Sequence, residues 1–217
     1  MLRRSVLALL AVSAALPTTI SRAFAEGGDA PRKLTDDEIA LINAVSAHNS
    51  AITTMVGKFL QVDTQGNRIE GTFYLQRPGK IRFRYNPPSR QEIMSLGNGF
   101  YVIDRKEKTQ YAYPQDKVPL RQFLEEKIDL LNAGLVAFDQ SANYLEVTLQ
   151  DDTPVGTVKV VLVFDKESQD LVQWVLTNPD GTDLTFSIYD VQKGVAIPAA
   201  YFYLNIGDYN KVQGPNG

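Results

Sequence analysis

The amino-acid sequence predicts a mainly β protein of the α+β class, with one highly twisted antiparallel sheet and two or three helices. Three observations carry that expectation. Apolar and polar residues alternate through most of positions 69–189, the period-2 pattern of half-buried strands. The alternating runs are joined by short turns rich in Gly, Pro, Asn and Asp, which suit antiparallel neighbours. Two segments interrupt this rhythm with helical spacing.

The first 25 residues stand apart from the fold. Arg3 and Arg4 precede an uncharged run from Val6 to Leu16, Pro17 ends it, and Ala23-Phe24-Ala25 supplies small residues before Glu26. That order is the signature of a secretory signal cleaved after Ala25, and the run is far shorter than the roughly 20 residues of a spanning helix. The arginine pair also fits a twin-arginine route. Residues 26–34 read as a flexible lead-in, 35–206 as one domain and 207–217 as a flexible Gly- and Asn-rich tail. An exported chain of this kind is expected in the periplasm, as a monomer.

Thr35 with Glu38 forms a capping box, and Ile39, Ile42 and Val45 follow at helical spacing, predicting a helix from about Asp36 to His48. Ile69, Gly71, Phe73 and Leu75 then share one face of a strand. After the Arg77-Pro78-Gly79-Lys80 turn, Ile81, Phe83 and Tyr85 resume that face while Arg82 and Arg84 point away. Gln91 to Leu96 and Phe100 to Asp104 flank a Gly97-Asn98-Gly99 hairpin turn, and Thr109 to Tyr113 follows. Leu120, Phe123, Leu124, Ile128 and Leu131 make an apolar stripe that predicts a second helix ending near Asn132-Ala133-Gly134. Strands at Tyr144–Gln150, Thr157–Phe164, Leu171–Thr177, Leu184–Tyr189 and Ala200–Leu204 bring the total to about ten. A twisted sheet of that size curls toward a barrel, and its helices bury their stripes on the concave face or across one mouth.

Composition excludes several classes of function. Without the signal the chain carries 19 basic and 25 acidic residues, a net charge of −6, which suits neither nucleic acid nor an anionic membrane surface. There is no cysteine, so the core alone holds the fold, and the chain lacks the residue through which a lipoprotein carries its own lipid. The one histidine, His48, suits the C-terminal end of a helix and cannot build a zinc site without cysteines. No nucleophile or phosphate-binding motif is present, so no enzyme activity and no cofactor are expected. Asp151-Asp152 and Asp180 with Asp183 fall in expected hairpin turns, where solvated turn chemistry accounts for them.

What remains is a large set of inward-facing apolar residues: Phe73, Leu75, Ile81, Phe83, Met94, Leu96, Leu145, Val147, Val160, Leu162, Phe164, Leu184, Phe186 and Ile188. Periodicity alone leaves open whether they fill a packed interior or line a cavity.

The stretch from Gly71-Thr72-Phe73-Tyr74-Leu75-Gln76-Arg77-Pro78-Gly79-Lys80-Ile81-Arg82-Phe83-Arg84-Tyr85, through Pro87, to Gly97-Asn98-Gly99-Phe100-Tyr101 resembles LolA-type outer-membrane lipoprotein carriers. The likeness extends over about residues 35 to 206, including the closing Ile197-Pro198-Ala199-Ala200-Tyr201-Phe202. It implies an incomplete half-barrel of about eleven strands with a helical lid, Leu120, Phe123, Leu124 and Ile128 lying on the lid helix, over a cavity for acyl chains. It implies that Arg77, in the Arg-Pro element, bonds the lid and holds the empty form closed. Ile81 departs from the aromatic residue often found at its position in the family. The implied partners are acylated lipoproteins, an inner-membrane lipoprotein-releasing transporter and an outer-membrane acceptor. The same half-barrel also suits a sensor of lipid or misplaced lipoprotein.

Overall fold

The computed structural model describes residues 32–114, 118, 121–153 and 156–211. The signal, its cleavage site at Ala25 and Leu120 lie outside the described residues.

Helix α1 (Asp36–Ala51) begins as its sequence dictates. The Glu38 amide donates to the Thr35 hydroxyl at 3.3 Å, and the Thr35 amide donates to the Glu38 carboxylate at 2.8 Å. Arg32 adds paired hydrogen bonds to the same carboxylate at 2.8 and 2.5 Å. Arg32 first, and the Thr35 amide second, hold the Glu38 carboxyl down to about 2.

Among the described residues, twelve strands form one open sheet. They are β1 (Thr54–Asp63), β2 (Arg68–Gln76), β3 (Lys80–Tyr85), β4 (Gln91–Leu96), β5 (Phe100–Asp104), β6 (Thr109–Tyr113), β7 (Leu135–Gln140), β8 (Tyr144–Thr153), β9 (Gly156–Asp165), β10 (Leu171–Thr177), β11 (Asp183–Lys193) and β12 (Asn210–Lys211). Two antiparallel meanders, β1 to β6 and β7 to β11, are joined by the pairing of β1 with β11, where Phe59 faces Ile188 and Gln61 faces Phe186. The sheet is antiparallel throughout except for β12, which lies parallel to β6.

The sheet is strongly coiled. β3 and β10 are four strand steps apart, about 19 Å in a flat sheet, yet the Phe83 and Trp174 rings lie 5.9 Å apart. Gly71 contributes to the bend: a Cβ there would sit 2.3 Å from the Arg84 carbonyl and 2.5 Å from the Phe59 ring. The inner face carries α1. Ile42 and Val45 are fully buried there, in one cluster with Phe138, Leu145, Val147, Leu162, Phe164, Ile128 and Leu130.

Three sequence expectations are corrected and one strand, β7, is added. The second helix is not formed: a 3-10 turn at Arg121–Leu124 leads into irregular chain. In a helix the Leu124 carbonyl would accept from the Ile128 amide, but here it accepts from Gly79 N at 2.8 Å. The Ile128 amide donates instead to the Ser50 hydroxyl at 2.8 Å. Tertiary partners take the bonds that a helix would need. The strand expected at Ala200–Leu204 is a 3-10 turn, Ala199–Phe202, closed by the Tyr201 amide on the Pro198 carbonyl. Strand β7 shows no clear alternation in sequence, because on this sheet edge only Phe138 is buried. Asp151 and Asp152 lie in β8 rather than in a turn.

Beyond residue 206, a 3-10 turn at Ile206–Asp208 precedes β12. Residues 199–211 cover the outer face of the sheet. Arg82 donates to the Tyr201 carbonyl at 2.8 Å, and the Gln110 amide to the Ile206 and Tyr209 carbonyls at 3.2 and 3.3 Å. Glu92, fully buried, pairs with Arg82 at 2.6 Å and Arg105 at 2.8 Å. Among the described residues no helix is long and apolar enough to cross a membrane.

Thr35→Ala should lower stability by about 1 kcal/mol, read as a shift in urea midpoint without a change in slope. Because the folded Glu38 carboxyl is depressed from 4.5 to about 2, its contribution is complete above pH 4.5 and lost as pH falls through 2. Glu38→Gln should therefore be less stable than the parent at pH 7, and the gap should close between those limits.

Candidate functional site

Where α1 does not fill the inner face, the coiled sheet leaves a pocket of about 250 Å3. Its walls come from Met55 of β1, Phe73 and Leu75 of β2, Ile81 and Phe83 of β3, Ile93 of β4 and Phe100 of β5. Leu171, Trp174 and Leu176 of β10 and Leu184, Phe186 and Ile188 of β11 face them, and Val118, Phe123 and Leu124 complete the lining. No polar side chain is among them. Trp174 stacks on Phe186 at 4.9 Å with 9° between the planes, and Phe59 meets Phe83 and Tyr85 edge-on at 5.2 and 5.0 Å. Such ring pairs stiffen the wall.

Seven of the fourteen inward-facing residues read from the sequence line this pocket: Phe73, Leu75, Ile81, Phe83, Leu184, Phe186 and Ile188. Leu145, Val147, Leu162 and Phe164 share the inner face but are packed solid with Ile42 and Val45 of α1. Met94 and Leu96 are on the opposite face. The β3–β4 register pairs Met94 with outward Arg82 and Ile93 with inward Phe83. Ile93 and Met94 are adjacent apolar residues, so alternation cannot choose between them. Trp174 and Leu171 escape the sequence pattern because the β9–β10 register shifts between Leu171 and Gln173, which breaks the period of two. Of the expected lid residues, Phe123 and Leu124 line the pocket, and Ile128 belongs to the core beneath α1.

Arg77 sits at the junction of three segments. It follows the last residue of β2, and its side chain is 7% exposed. Nε donates to the Phe123 carbonyl at 3.0 Å. Nη1 donates to the Asn49 carbonyl at 2.9 Å and also to the Ile52 carbonyl, at the C-terminal end of α1. The Phe123 ring stacks 4.7 Å from the guanidinium carbon, a cation–π contact. Burial pushes the guanidinium down to about 10, so it stays charged at neutral pH. Gly79, with φ of +76°, turns the chain so that its amide reaches the Leu124 carbonyl. Residues 121–131 therefore form a strap held on the β2–β3 side by Arg77 and Gly79. Arg121 pairs with Asp151 on the β8 side.

The remaining singled-out residues have structural partners. His48 Nε2 lies 2.7 Å from Asp170, which also receives Lys193 at 2.5 Å. Burial alone would raise the Asp170 carboxyl, but Lys193 and His48 outweigh it and hold it low. Asp180 accepts from Thr182 in the β10–β11 turn, whereas Asp183, expected in that turn, is the first residue of β11 and accepts from the Thr177 hydroxyl at 2.7 Å.

Residues 50–205 match the family model described as outer membrane lipoprotein carrier protein LolA. An outer-membrane lipoprotein carrier protein of Methylococcus capsulatus is 51% identical over 41 residues, 18% of this chain and 20% of that relative. One from Methylobacillus flagellatus is 37% identical over 68 residues, 29% of this chain and 33% of that relative. The chain thus spans a fifth and a third of the length of these two relatives. Among solved structures, a LolA superfamily protein from Nitrosomonas europaea superposes with a TM-score of 0.44 at 9% identity, covering 76% of this chain and 98% of its own. The MucA/MucB complex of Pseudomonas aeruginosa gives 0.43 at 16% identity, covering 82% and 64%.

Trp174 is the only tryptophan, and it stands in the pocket wall. A fatty acid brominated along its tail should quench its emission strongly and saturably. Unchanged emission under conditions where the fatty acid binds would place the bound tail elsewhere.

Proposed function

The chain belongs to the LolA family of outer membrane lipoprotein carrier proteins, and we propose that it is a periplasmic carrier that binds the acyl chains of lipoproteins in this pocket. In this reading the signal is cleaved after Ala25. The mature monomer takes cargo from a lipoprotein-releasing transporter in the inner membrane and gives it up to an acceptor in the outer membrane. It is a binding protein with no catalytic step. The observation that carries the reading is a wholly apolar pocket spanned by a strap that is held by polar groups.

The energetics suit a carrier. Each buried methylene contributes about 0.8 kcal/mol, so about ten methylenes would contribute about 8 kcal/mol, near micromolar affinity. A whole set of acyl chains buried without opposing cost would not be released. The pocket of about 250 Å3 is also below the roughly 300–1,000 Å3 of ordinary ligand sites. Loading must therefore widen it, and widening separates the strap from the sheet. Breaking the strap's hydrogen bonds lowers the net affinity, and re-forming them on closure favours release. Arg77 is the lid residue in this scheme, and the strap takes the part of the expected helical lid.

The direct test is a pull-down by the purified mature protein of lipoproteins released from spheroplasts, read by mass spectrometry. Acylated lipoproteins should co-elute, and removing their acyl chains should abolish retention. A folded protein that retains none would sink the carrier reading, and recovery of a signalling partner without acylated cargo would favour the sensor.

Arg77→Leu leaves three carbonyls without their donor, each costing about 1–3 kcal/mol if it stays buried. That cost falls on the closed form. The variant should fold and load cargo yet pass it on at least about tenfold more slowly, as the loss of about 1.4 kcal/mol from closure implies. Parental transfer kinetics in the variant would remove Arg77 from the cycle.

A further inference from the structure

Asp151 breaks the pattern of its own strand. Along β8 the inner-face positions read Leu145, Val147, Leu149 and then Asp151, in register with Phe164, Leu162, Val160 and Val158 of β9. Alternation calls for another apolar side chain at the fourth position. The carboxylate that stands there instead receives both terminal nitrogens of Arg121, Nη2 to Oδ1 at 3.1 Å and Nη1 to Oδ2. Arg121 opens the 3-10 turn, between the pocket-wall residues Val118 and Phe123. A local rule broken beside a pocket, with a matching partner, marks a feature of the site rather than of the core.

The strap is therefore a tie across the open side of the coiled sheet. Its first turn, Arg121–Leu124, is fixed on one side to β2 and β3 through Arg77 and Gly79 and on the other to β8 through Asp151, with β2 and β8 five strand steps apart in the sheet, and its later residues Ile128 and Leu130 are held on α1 by Ser50 and Ser46. Widening the pocket loads both anchors together, but they differ in kind. Arg77 is buried among carbonyls with an aromatic ring against it. Arg121 and Asp151 keep 28% and 30% of their side chains exposed, so water and salt compete for that pair.

We propose that the Arg121–Asp151 pair is the clasp that opens first. The start of the strap then leaves β8 while Phe123 and Leu124 stay bonded to Arg77 and Gly79, and acyl chains enter between Arg121 and the end of β8. The hydrogen bonds of Arg77 part later, as the pocket fills. This ordering rests on the carrier reading for its cargo but not for its mechanics, and it makes the first step of loading dependent on salt.

Two readouts separate the clasp from the cargo. Amide hydrogen exchange of residues 121–125 in the empty protein reports opening at the start of the strap without any ligand. Stopped-flow uptake of the fluorescent fatty acid cis-parinaric acid reports loading. Between about 20 mM and about 500 mM NaCl, both should accelerate in the parent by about two- to fivefold, the scale of a partly exposed ion pair. Asp151→Asn and Arg121→Gln should each produce that acceleration at low salt and abolish the salt dependence. The double variant should be no faster than either single one, and the charge-swapped Arg121→Asp/Asp151→Arg should return toward the parent. Single variants that exchange and load like the parent, or effects that add in the double variant, overturn the clasp. Uptake that stays normal while strap exchange is uncoupled from both residues also sinks the clasp and leaves the carrier reading intact. Coupled, salt-dependent exchange with no uptake by any form would uphold the clasp and sink the acyl-binding reading.

Discussion

A guanidinium buried at the end of β2 is tolerable only if acceptors converge on it from elsewhere in the chain. For Arg77 those acceptors are the Asn49 and Ile52 carbonyls at the end of α1 and the Phe123 carbonyl of the strap. The arrangement serves both sides. The last carbonyls of a helix have no intrahelical partner, and the negative end of the helix dipole favours a cation. One side chain thus completes a helix terminus, fixes the strap and joins both to the sheet. The position of α1, the path of residues 121–131 and the existence of the pocket all depend on that convergence.

The same division of hydrogen bonds explains why one half of the inner face is solid and the other hollow. Over β7 to β9, α1 inserts Ile42 and Val45 among Leu145, Val147, Leu162 and Phe164, and the strap adds Ile128 and Leu130. Over β1 to β5 there is no helix to insert. A second helix at 120–131 would have projected a dense stripe into that space. The segment instead gives its carbonyls to Arg77 and Gly79 and takes the Ser50 and Ser46 hydroxyls for its amides. It lies across the sheet as a thin cover, and only Phe123 and Leu124 reach the pocket. Phe83 meets Trp174 and Phe186 across the pocket, each at 5.9 Å, so ring contacts set the spacing of the walls.

Much of this was legible in the sequence, and the exceptions share a cause. The capping box, the alternation of β2 and β3 and the Arg77-Pro78-Gly79-Lys80 turn are local signals, and each appears in the fold as read. Half of the expected cavity residues line the pocket for the same reason: their strands alternate cleanly. The failures lie where a distant partner decides. Met94 takes the outer face because register with Arg82, and not periodicity, sets its side. Leu171 and Trp174 are hidden by a bulge. The stripe at Phe123, Leu124 and Ile128 reads correctly as buried and wrongly as helical, since its competitors for hydrogen bonds lie some 45 to 80 residues away. Asp151 resembles turn chemistry because nothing nearby in sequence reveals Arg121.

In the proposed carrier role, the pocket's small size bears on how cargo avoids being held too well. An open, preformed cavity would bind acyl chains with the full transfer free energy, since nothing would oppose it. Here the space seen in the closed form is too small for that, and enlarging it exposes the strap's apolar face and strands its polar groups. The cost of exposing apolar surface grows with the amount of chain admitted, whereas hydrogen bonds such as those of Arg77 break once. Affinity then rises less steeply with chain length than the number of methylenes alone would dictate. The aromatic walls set how far the pocket can yield, and the strap's anchors set the threshold below which it stays shut. A short apolar molecule gains too little to cross that threshold, so the polar groups around an unspecific pocket give it selectivity that its apolar lining cannot.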